Sequence, residues 1–137
     1  YEAAISIGCQ EQEQAYLARA YLMSGVALGQ SGDLDGGVAY LSGAIELDSS
    51  NYWNYIMLGD IYRVNGRYNQ ADFWLERARV IAQNSVYPLI FLGKNSLARG
   101  QTEAAKSYAQ AAVRIDPTNA DAIEFLASCE SQGNAQE

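Results

Sequence analysis

A repeat of 34 residues is the feature of this sequence that most constrains its fold. Small residues, turn glycines and large apolar residues all recur at that step. The clearest columns are Gly25, Gly59 and Gly93, then Gly32, Gly66 and Gly100, then Ala44, Ala78 and Ala112, and then Leu47, Ile81 and Ile115. A repeat of this length is one supersecondary unit that buries its apolar face only by stacking on its neighbours. The sequence therefore predicts an array of similar units.

Each unit has the pattern of two helices joined by a turn. Tyr55, Leu58 and Tyr62 share one helical face, and Gly66 ends that helix because glycine adopts the left-handed conformation found at helix C-termini. An apolar stripe over 71–78 gives the second helix. The helices are expected near 18–31, 35–48, 52–65, 69–82, 86–99, 103–115 and 119–132.

The small residues have a steric reason to recur. In this scheme Gly25, Gly59 and Gly93 of the first helices face Gly37, Ala71 and Ala105 of the second helices. Small side chains let two helix backbones approach, and larger neighbours fill the remaining space. Asp33 follows a turn glycine and is placed to cap the next helix.

These columns resemble the tetratricopeptide repeat family, whose pattern is a large residue, Leu-Gly, Tyr, a turn Gly, Ala, a large residue, Ala and Pro. The second unit carries Tyr55, Leu58, Gly59, Tyr62, Gly66, Tyr68, Ala71, Leu75 and Ala78. The resemblance covers about residues 18–133. It implies an all-α helix-hairpin solenoid, a right-handed superhelix of about three full repeats plus terminal half-repeat helices. It also implies that the first helices line an inner groove.

The chain is expected to be a single domain of such repeats. Its parts are an N-terminal helix at 1–17, repeats at 18–51, 52–85 and 86–119, a terminal helix at 120–133 and a tail at 134–137. The terminal helix resembles a first helix that lacks its second, and the stretch 1–5 resembles a second helix that lacks its first. Alternatively, the C-terminal helix is a solvating cap and residues 1–13 pack on the first repeat.

Helical phase predicts an apolar groove that binds a peptide or a helix. Its expected lining is Arg19, Leu22, Val26, Trp53, Ile56, Asp60, Arg63, Tyr87, Ile90 and Lys94. The alternative is that Trp53, Tyr87 or the N-terminal helix folds into the groove and covers it. Some members of the family hold a peptide's C-terminal carboxylate between Asn and Lys at repeated groove positions. Those positions carry Val26, Asp60 and Lys94 here, with Leu22, Ile56 and Ile90 beside them, so this clamp is not expected.

The outer face and the chain ends favour a self-assembling scaffold slightly over a monomeric adaptor. Small outward residues suit close packing, and a head-to-tail joint between terminal half-repeats would propagate as a filament or ring. The expected assembly contacts are Ile5, Cys9, Ile123, Cys129, Phe73 and Val80. Against this joint, residues 1–51 carry a net charge of −6 and residues 116–137 carry −5, so the ends repel each other. A harmless, poorly optimised outer surface is the alternative.

Composition gives catalysis weak support. The chain has no His, which is the commonest general base and metal ligand, and two Cys cannot complete a four-ligand zinc site. We expect no enzymatic activity, no cofactor and no metal. Residues 52–115 carry a net charge of +4, which leaves nucleic acid as a third and weaker hypothesis. The eight bases there form no single stripe, so solvated charge is the simpler interpretation.

The expected partners are proteins, either further copies of the chain or a peptide or helical segment. No apolar run approaches the length of a membrane span. The chain begins at Tyr1 without an initiator Met, and only two of its nine bases are Lys. These features favour a processed, exported protein, with the cytoplasm as the alternative.

Overall fold

A computed structural model describes the backbone of residues 2–135 and the side chains of residues 10–132. Over that range the chain forms seven helices and no strand. They are α1 (Glu2–Gln30), α2 (Leu34–Leu47), α3 (Tyr52–Val64), α4 (Tyr68–Ile81), α5 (Tyr87–Ala98), α6 (Thr102–Ile115) and α7 (Ala120–Ala135). The all-α prediction is confirmed, and α2 to α7 begin and end within a few residues of the expected positions.

The N-terminal region differs from the expectation. One helix of 29 residues runs from Glu2 to Gln30, so the expected boundary between 1–17 and the first repeat lies inside it. The stretch 10–17 is rich in Gln and Glu, has no Gly or Pro, and favours helix. The interpretation of 1–5 as a separate second helix is therefore wrong for its described residues, which belong to α1.

Each repeat is a helical hairpin closed by a glycine turn. Gly32, Gly66 and Gly100 have φ values of +100°, +77° and +77°, which non-glycine residues rarely adopt. In the second turn the Arg67 N–H donates to the Tyr62 carbonyl at 2.8 Å, and the first and third turns repeat this bond at 2.9 Å. Asp33 caps α2 as expected, since its carboxylate accepts from the Gly36 N–H at 3.0 Å.

The small residues meet at the helix crossings as predicted. A Cβ added to Gly59 would lie 3.2 Å from the Ala71 carbonyl oxygen, and one added to Gly93 would lie 3.5 Å from that of Ala105. Gly59 therefore allows α3 to lie directly on the backbone of α4, whereas the atoms nearest to a Cβ at Gly93 belong to the Phe125 ring of α7. The predicted pairing of small residues is confirmed.

The first helices form a continuous layer, and the second helices do not. Among the described helices, the backbones of α1, α3, α5 and α7 approach one another in chain order, whereas the backbones of α2, α4 and α6 stay apart. Ile56 of α3, Leu75 of α4 and Leu92 of α5 share one buried cluster, which joins the second repeat to the third. The second helices are thus separated on the outside, and the first helices line the inner face.

Buried amides join neighbouring hairpins. The Asn54 side chain is 1% exposed, and its amide donates to the carbonyl oxygens of Ala44 at 3.3 Å and Asp48 at 3.2 Å, where α2 ends. The amide of Asn95, also fully buried, donates to the Asp72 carboxylate at 2.7 Å and links α5 to α4. These bonds fix the position of each first helix against the preceding hairpin. None of the helices within the described range has the length and apolarity needed to cross a bilayer.

Candidate partner-binding groove

Two adjoining cavities lie on the face of the first helices. The first, of about 420 Å³, lies between α1 and α3 and is lined by Leu22, Met23, Val26, Ala27, Gln30, Trp53 and Met57. The second, of about 470 Å³, lies between α3, α5 and α7 and is lined by Trp53, Tyr87, Ile90, Phe91, Lys94, Asp121, Glu124, Phe125 and Ser128. Trp53 lines both, so the two cavities adjoin at its ring, and together they are here called the inner groove.

One repeat column runs the length of the inner groove. Met23, Met57, Phe91 and Phe125 are each 34 residues apart, and every one of them lines a cavity. Met23 is 63% exposed and Phe125 is 8% exposed, so the column passes from an open surface into the core. The sequence prediction missed these four residues. Extending the 34-residue step to this column would have found them, since it is large and apolar in every unit.

Trp53 and Tyr87 form an aromatic wall in the middle of the inner groove. Their ring centroids are 5.1 Å apart. The Tyr87 hydroxyl donates to Oδ2 of Asp121 at 3.0 Å, which ties the start of α5 to the start of α7. Both rings are half-buried and line the walls. Residues 22–30 of α1 supply one side of the first cavity.

The charge in the inner groove lies entirely in its second cavity. Asp121 and Glu124 stand one turn apart on α7, both are exposed, and neither makes a salt bridge among the described residues. Lys94 is the one base in that lining, and its Nζ lies 4.8 Å from the centroid of the Phe91 ring. The first cavity has no charged residue in its lining.

The expected groove residues divide into three sets. Those that do line the inner groove are Leu22, Val26, Trp53, Tyr87, Ile90 and Lys94. Ile56 was a wrong prediction: it lines neither cavity, and its side chain is fully buried in the cluster that also holds Leu92 of α5. The others lie outside both cavities. Arg19 borders a shallow depression beside Tyr16, and Asp60 pairs with Arg63 at 2.7 Å along α3.

The expected assembly contacts are dispersed. Phe73 and Val80 are 55% and 68% exposed on the outer helix α4, and Ile123 is 48% exposed on α7. Cys129 is a wrong prediction, because it is fully buried in the core cluster that includes Phe125. Burial raises the pKa of the Cys129 thiol, and nearby Lys106 opposes that rise. The side chains of Ile5 and Cys9 lie outside the described residues.

The basic residues of the middle repeats are largely engaged within the fold. Arg63, Arg79, Arg99 and Lys106 each lie within 4.0 Å of a carboxylate, and Arg77 stacks over the Phe73 and Trp74 rings at 5.2 and 5.6 Å. They form no continuous basic stripe of the kind that tracks a phosphate backbone. Within the described residues, no group of His, Cys, Asp and Glu is arranged to hold a metal ion.

Solved structures with the same fold are tetratricopeptide domains. The Arabidopsis OM64 domain is 16% identical over 87% of this chain and 98% of its own, with a TM-score of 0.69. The first such domain of human RPAP3 is 17% identical over 88% of this chain and 94% of its own, with a TM-score of 0.72. The second domain of human RPAP3, solved with the HSP70 peptide SGPTIEEVD, is 16% identical over 88% and 98%, with a TM-score of 0.67.

Comparison of the sequence with protein families leads to the same family as comparison of the structure. No curated protein matches the chain. The tetratricopeptide repeat model matches residues 18–51, 54–78 and 89–119, which are the three repeats that the 34-residue step predicts. These segments make up more than half of the chain, and they coincide with the three helical hairpins of the structure. The chain belongs to the tetratricopeptide repeat family.

Proposed function

We propose that this chain is a non-enzymatic protein-interaction scaffold that binds an apolar peptide or helix of a partner in its inner groove. The observation that carries the proposal is that one large apolar repeat column lines both of the cavities that adjoin at Trp53. Isolated exposed apolar side chains are ordinary, but a contiguous apolar groove is typical of a binding site.

The family relationship supports this proposal, and the lining makes it more specific. The human relative named above was solved with an acidic peptide, SGPTIEEVD. In this chain the clamp positions carry Val26, Asp60 and Lys94, with Leu22 and Ile90 beside them. Only one of the three is a base, and Asp60 is already paired with Arg63. We therefore expect a partner segment that binds through apolar side chains and not through a C-terminal carboxylate.

The test is a display selection of random peptides on the purified chain, followed by titration of the selected peptides. Met23→Glu places a charge in the first cavity at a side chain that is 63% exposed, so the fold should persist. We expect this variant to weaken the selected peptides at least tenfold. Val80→Glu is the comparison variant, because Val80 is 68% exposed and lines a separate cavity of about 460 Å³ on α4, outside the inner groove.

Two results would contradict groove binding. One is that the selected peptides bind Met23→Glu as tightly as the unchanged chain while losing affinity for Val80→Glu. The other is that circular dichroism shows Met23→Glu to be folded and no selected peptide distinguishes it from the control. Ile56→Ala does not serve as a test, because Ile56 is fully buried and its loss would destabilise the repeat.

A second candidate function is end-to-end self-assembly. It is supported by exposed apolar side chains at both ends: Tyr16 and Leu17 of α1 are 77% and 44% exposed, and Ile123 of α7 is 48% exposed. A joint between these faces would be heterologous and would propagate. Native mass spectrometry over a concentration series tests it. Oligomers that Ile123→Ser removes would support it, and a monomer at every concentration would dispose of it.

A further inference from the structure

We infer that the second cavity of the inner groove selects an arginine side chain of the bound segment. This inference rests on the proposed function, since it names the chemistry of the segment that the inner groove would hold. The second cavity is lined by two carboxylates, four aromatic rings and one opposing base.

The carboxylates are the first feature. Asp121 and Glu124 are three residues apart on α7, so they lie on one side of the helix and both line the cavity. Neither forms a salt bridge among the described residues. The Tyr87 hydroxyl holds the Asp121 carboxylate at 3.0 Å, which orders it before any partner arrives. Two ordered or exposed carboxylates beside an apolar wall attract a cationic side chain.

The aromatic rings are the second feature. Trp53, Tyr87, Phe91 and Phe125 all border the same space. A guanidinium group stacks on such rings and donates hydrogen bonds in its plane to a carboxylate, whereas the ammonium group of Lys is a compact and strongly hydrated point charge. Rings and carboxylates in one cavity therefore favour arginine over lysine.

Lys94 is the third feature, and it sets a limit on the selectivity. Its ammonium group lies over the Phe91 ring at 4.8 Å and repels another cation. The lining nevertheless has a formal charge of −1, from two acids and one base. An acidic partner side chain would meet two like charges and one opposite charge, so the balance favours a cation.

The linings of the two cavities together predict what kind of partner peptide would bind in the inner groove. The first cavity is apolar and uncharged, and the second is aromatic and net acidic. A peptide that lies along the inner groove would thus present apolar side chains to α1 and α3 and an arginine to α5 and α7.

The experiment uses a synthetic array in which a Leu- and Ala-rich peptide carries one variable residue at each position in turn. That residue is arginine, its neutral isostere citrulline, lysine or glutamate. Affinities are measured by titration against the unchanged chain. We expect the best arginine peptide to bind roughly 5- to 30-fold more tightly than the citrulline peptide, the lysine peptide to lie between them, and the glutamate peptide to be weakest.

Three variants locate the effect. Glu124→Gln should reduce the preference for arginine over citrulline, and Lys94→Gln should increase it, because one removes an attraction and the other a repulsion. Glu130→Gln is the matched control, since Glu130 is an exposed acid on the same helix that does not line the cavity. If Lys94 had only a structural role, Lys94→Gln would not tighten the binding of the arginine peptide relative to the citrulline peptide.

The outcomes separate this inference from the proposal on which it rests. Equal affinity for arginine and citrulline, or tightest binding of glutamate, contradicts the inference and leaves groove binding intact. If no array peptide binds while the display-selected peptides do, the inference is again wrong. If neither set responds to Met23→Glu, the proposed groove function itself is contradicted.

Discussion

Gly25 and Gly37 pack backbone against backbone, and the contact is reciprocal. A Cβ on Gly25 would lie 3.0 Å from the Gly37 carbonyl oxygen, and a Cβ on Gly37 would lie 3.0 Å from the Gly25 carbonyl oxygen. Neither backbone can yield without moving its whole helix. This contact fixes how closely α2 lies on α1, and thereby where Leu22 and Val26 stand in the inner groove.

Gly25→Ala should destabilise the chain although alanine is the better helix former. The added methyl group would meet the Gly37 carbonyl oxygen and, at 3.1 Å, the Leu41 backbone nitrogen. Such overpacking costs about 1–3 kcal/mol, which outweighs the helix propensity gain of about 1 kcal/mol. Urea unfolding followed by circular dichroism measures the difference.

Gly43→Ala is the matched control for that experiment. The atoms nearest to its added methyl group belong to the Tyr21 side chain, at 3.1 Å, and that side chain is partly exposed and not backbone. We expect its free energy of unfolding to be unchanged or to rise by up to about 1 kcal/mol, which is the gain in helix propensity. Equal destabilisation by both variants would contradict the packing argument.

Gly66 is needed for its backbone conformation and not for space. Its φ is +77°, and a Cβ there would meet nothing within 4 Å. Gly66→Ala should therefore lower the free energy of unfolding by about 1 kcal/mol through backbone strain. Gly66→Asn should cost less, because asparagine tolerates the left-handed region. The two variants are compared by thermal unfolding, and the account fails here if alanine is tolerated as well as asparagine.

Asp72 holds the third repeat against the second. It accepts from the Asn95 amide at 2.7 Å and pairs with Arg99 at 2.7 Å. Asp72→Ala should cost about 1 kcal/mol or more, since it leaves the buried amide without one acceptor. Glu103→Ala is the control, because its ion pair spans 3.8 Å and its side chain is 89% exposed. In a double-mutant cycle, Asp72→Ala and Arg99→Ala should cost less together than the sum of the two.

The buried thiol of Cys129 predicts a loss of stability at alkaline pH. Burial raises its pKa above the ordinary 9.0, so the folded chain holds the thiol proton more tightly than the unfolded chain does. The resulting stabilisation is complete below about pH 9 and declines as the pH rises through the pKa of the folded state. Urea unfolding from neutral to alkaline pH should show this decline.

The control for the alkaline decline is Cys129→Ala, made in a Cys9→Ala background. This variant is less stable at every pH because it leaves a cavity, but its stability should fall less steeply above pH 9. Burial also raises the pKa of Tyr108 above 10.0, with Glu76 and Asp72 adding to the rise, so part of the decline remains. An unchanged slope in the variant would show that Cys129 is not the group responsible.

The 34-residue repeat predicts most of the fold because the residues that recur act within one helical hairpin. Gly32, Gly66 and Gly100 end helices by backbone conformation, and the pairing of Gly59 with Ala71 depends on side-chain size alone. The extent of α1 escaped prediction for a different reason. A sequence rich in Gln and Glu has no stop signal, so the periodicity of the core does not show where such a helix begins.

The inner groove was predicted only in part because its lining depends on which side of each first helix meets the next. Ile56 is apolar, as the residues that line the groove are, but the packing of α3 and α5 buries it in the cluster that holds Leu92. The neighbouring column through Met23 and Met57 faces the cavity instead. The sequence of one helix does not determine how that helix is rotated about its own axis. Packing between repeats sets this rotation, and so decides which side of the helix faces the cavity.

Site-specific photocrosslinking tests the central claim most directly. A photoreactive phenylalanine analogue is placed at Met23 in the inner groove or at Val80 on α4. Each labelled protein is then irradiated in the presence of a peptide that was selected by display on the unchanged chain. Both positions are more than 60% exposed, so they accept the label equally well. The account predicts crosslinks from position 23 and none from position 80. Crosslinks from position 80 alone would contradict it.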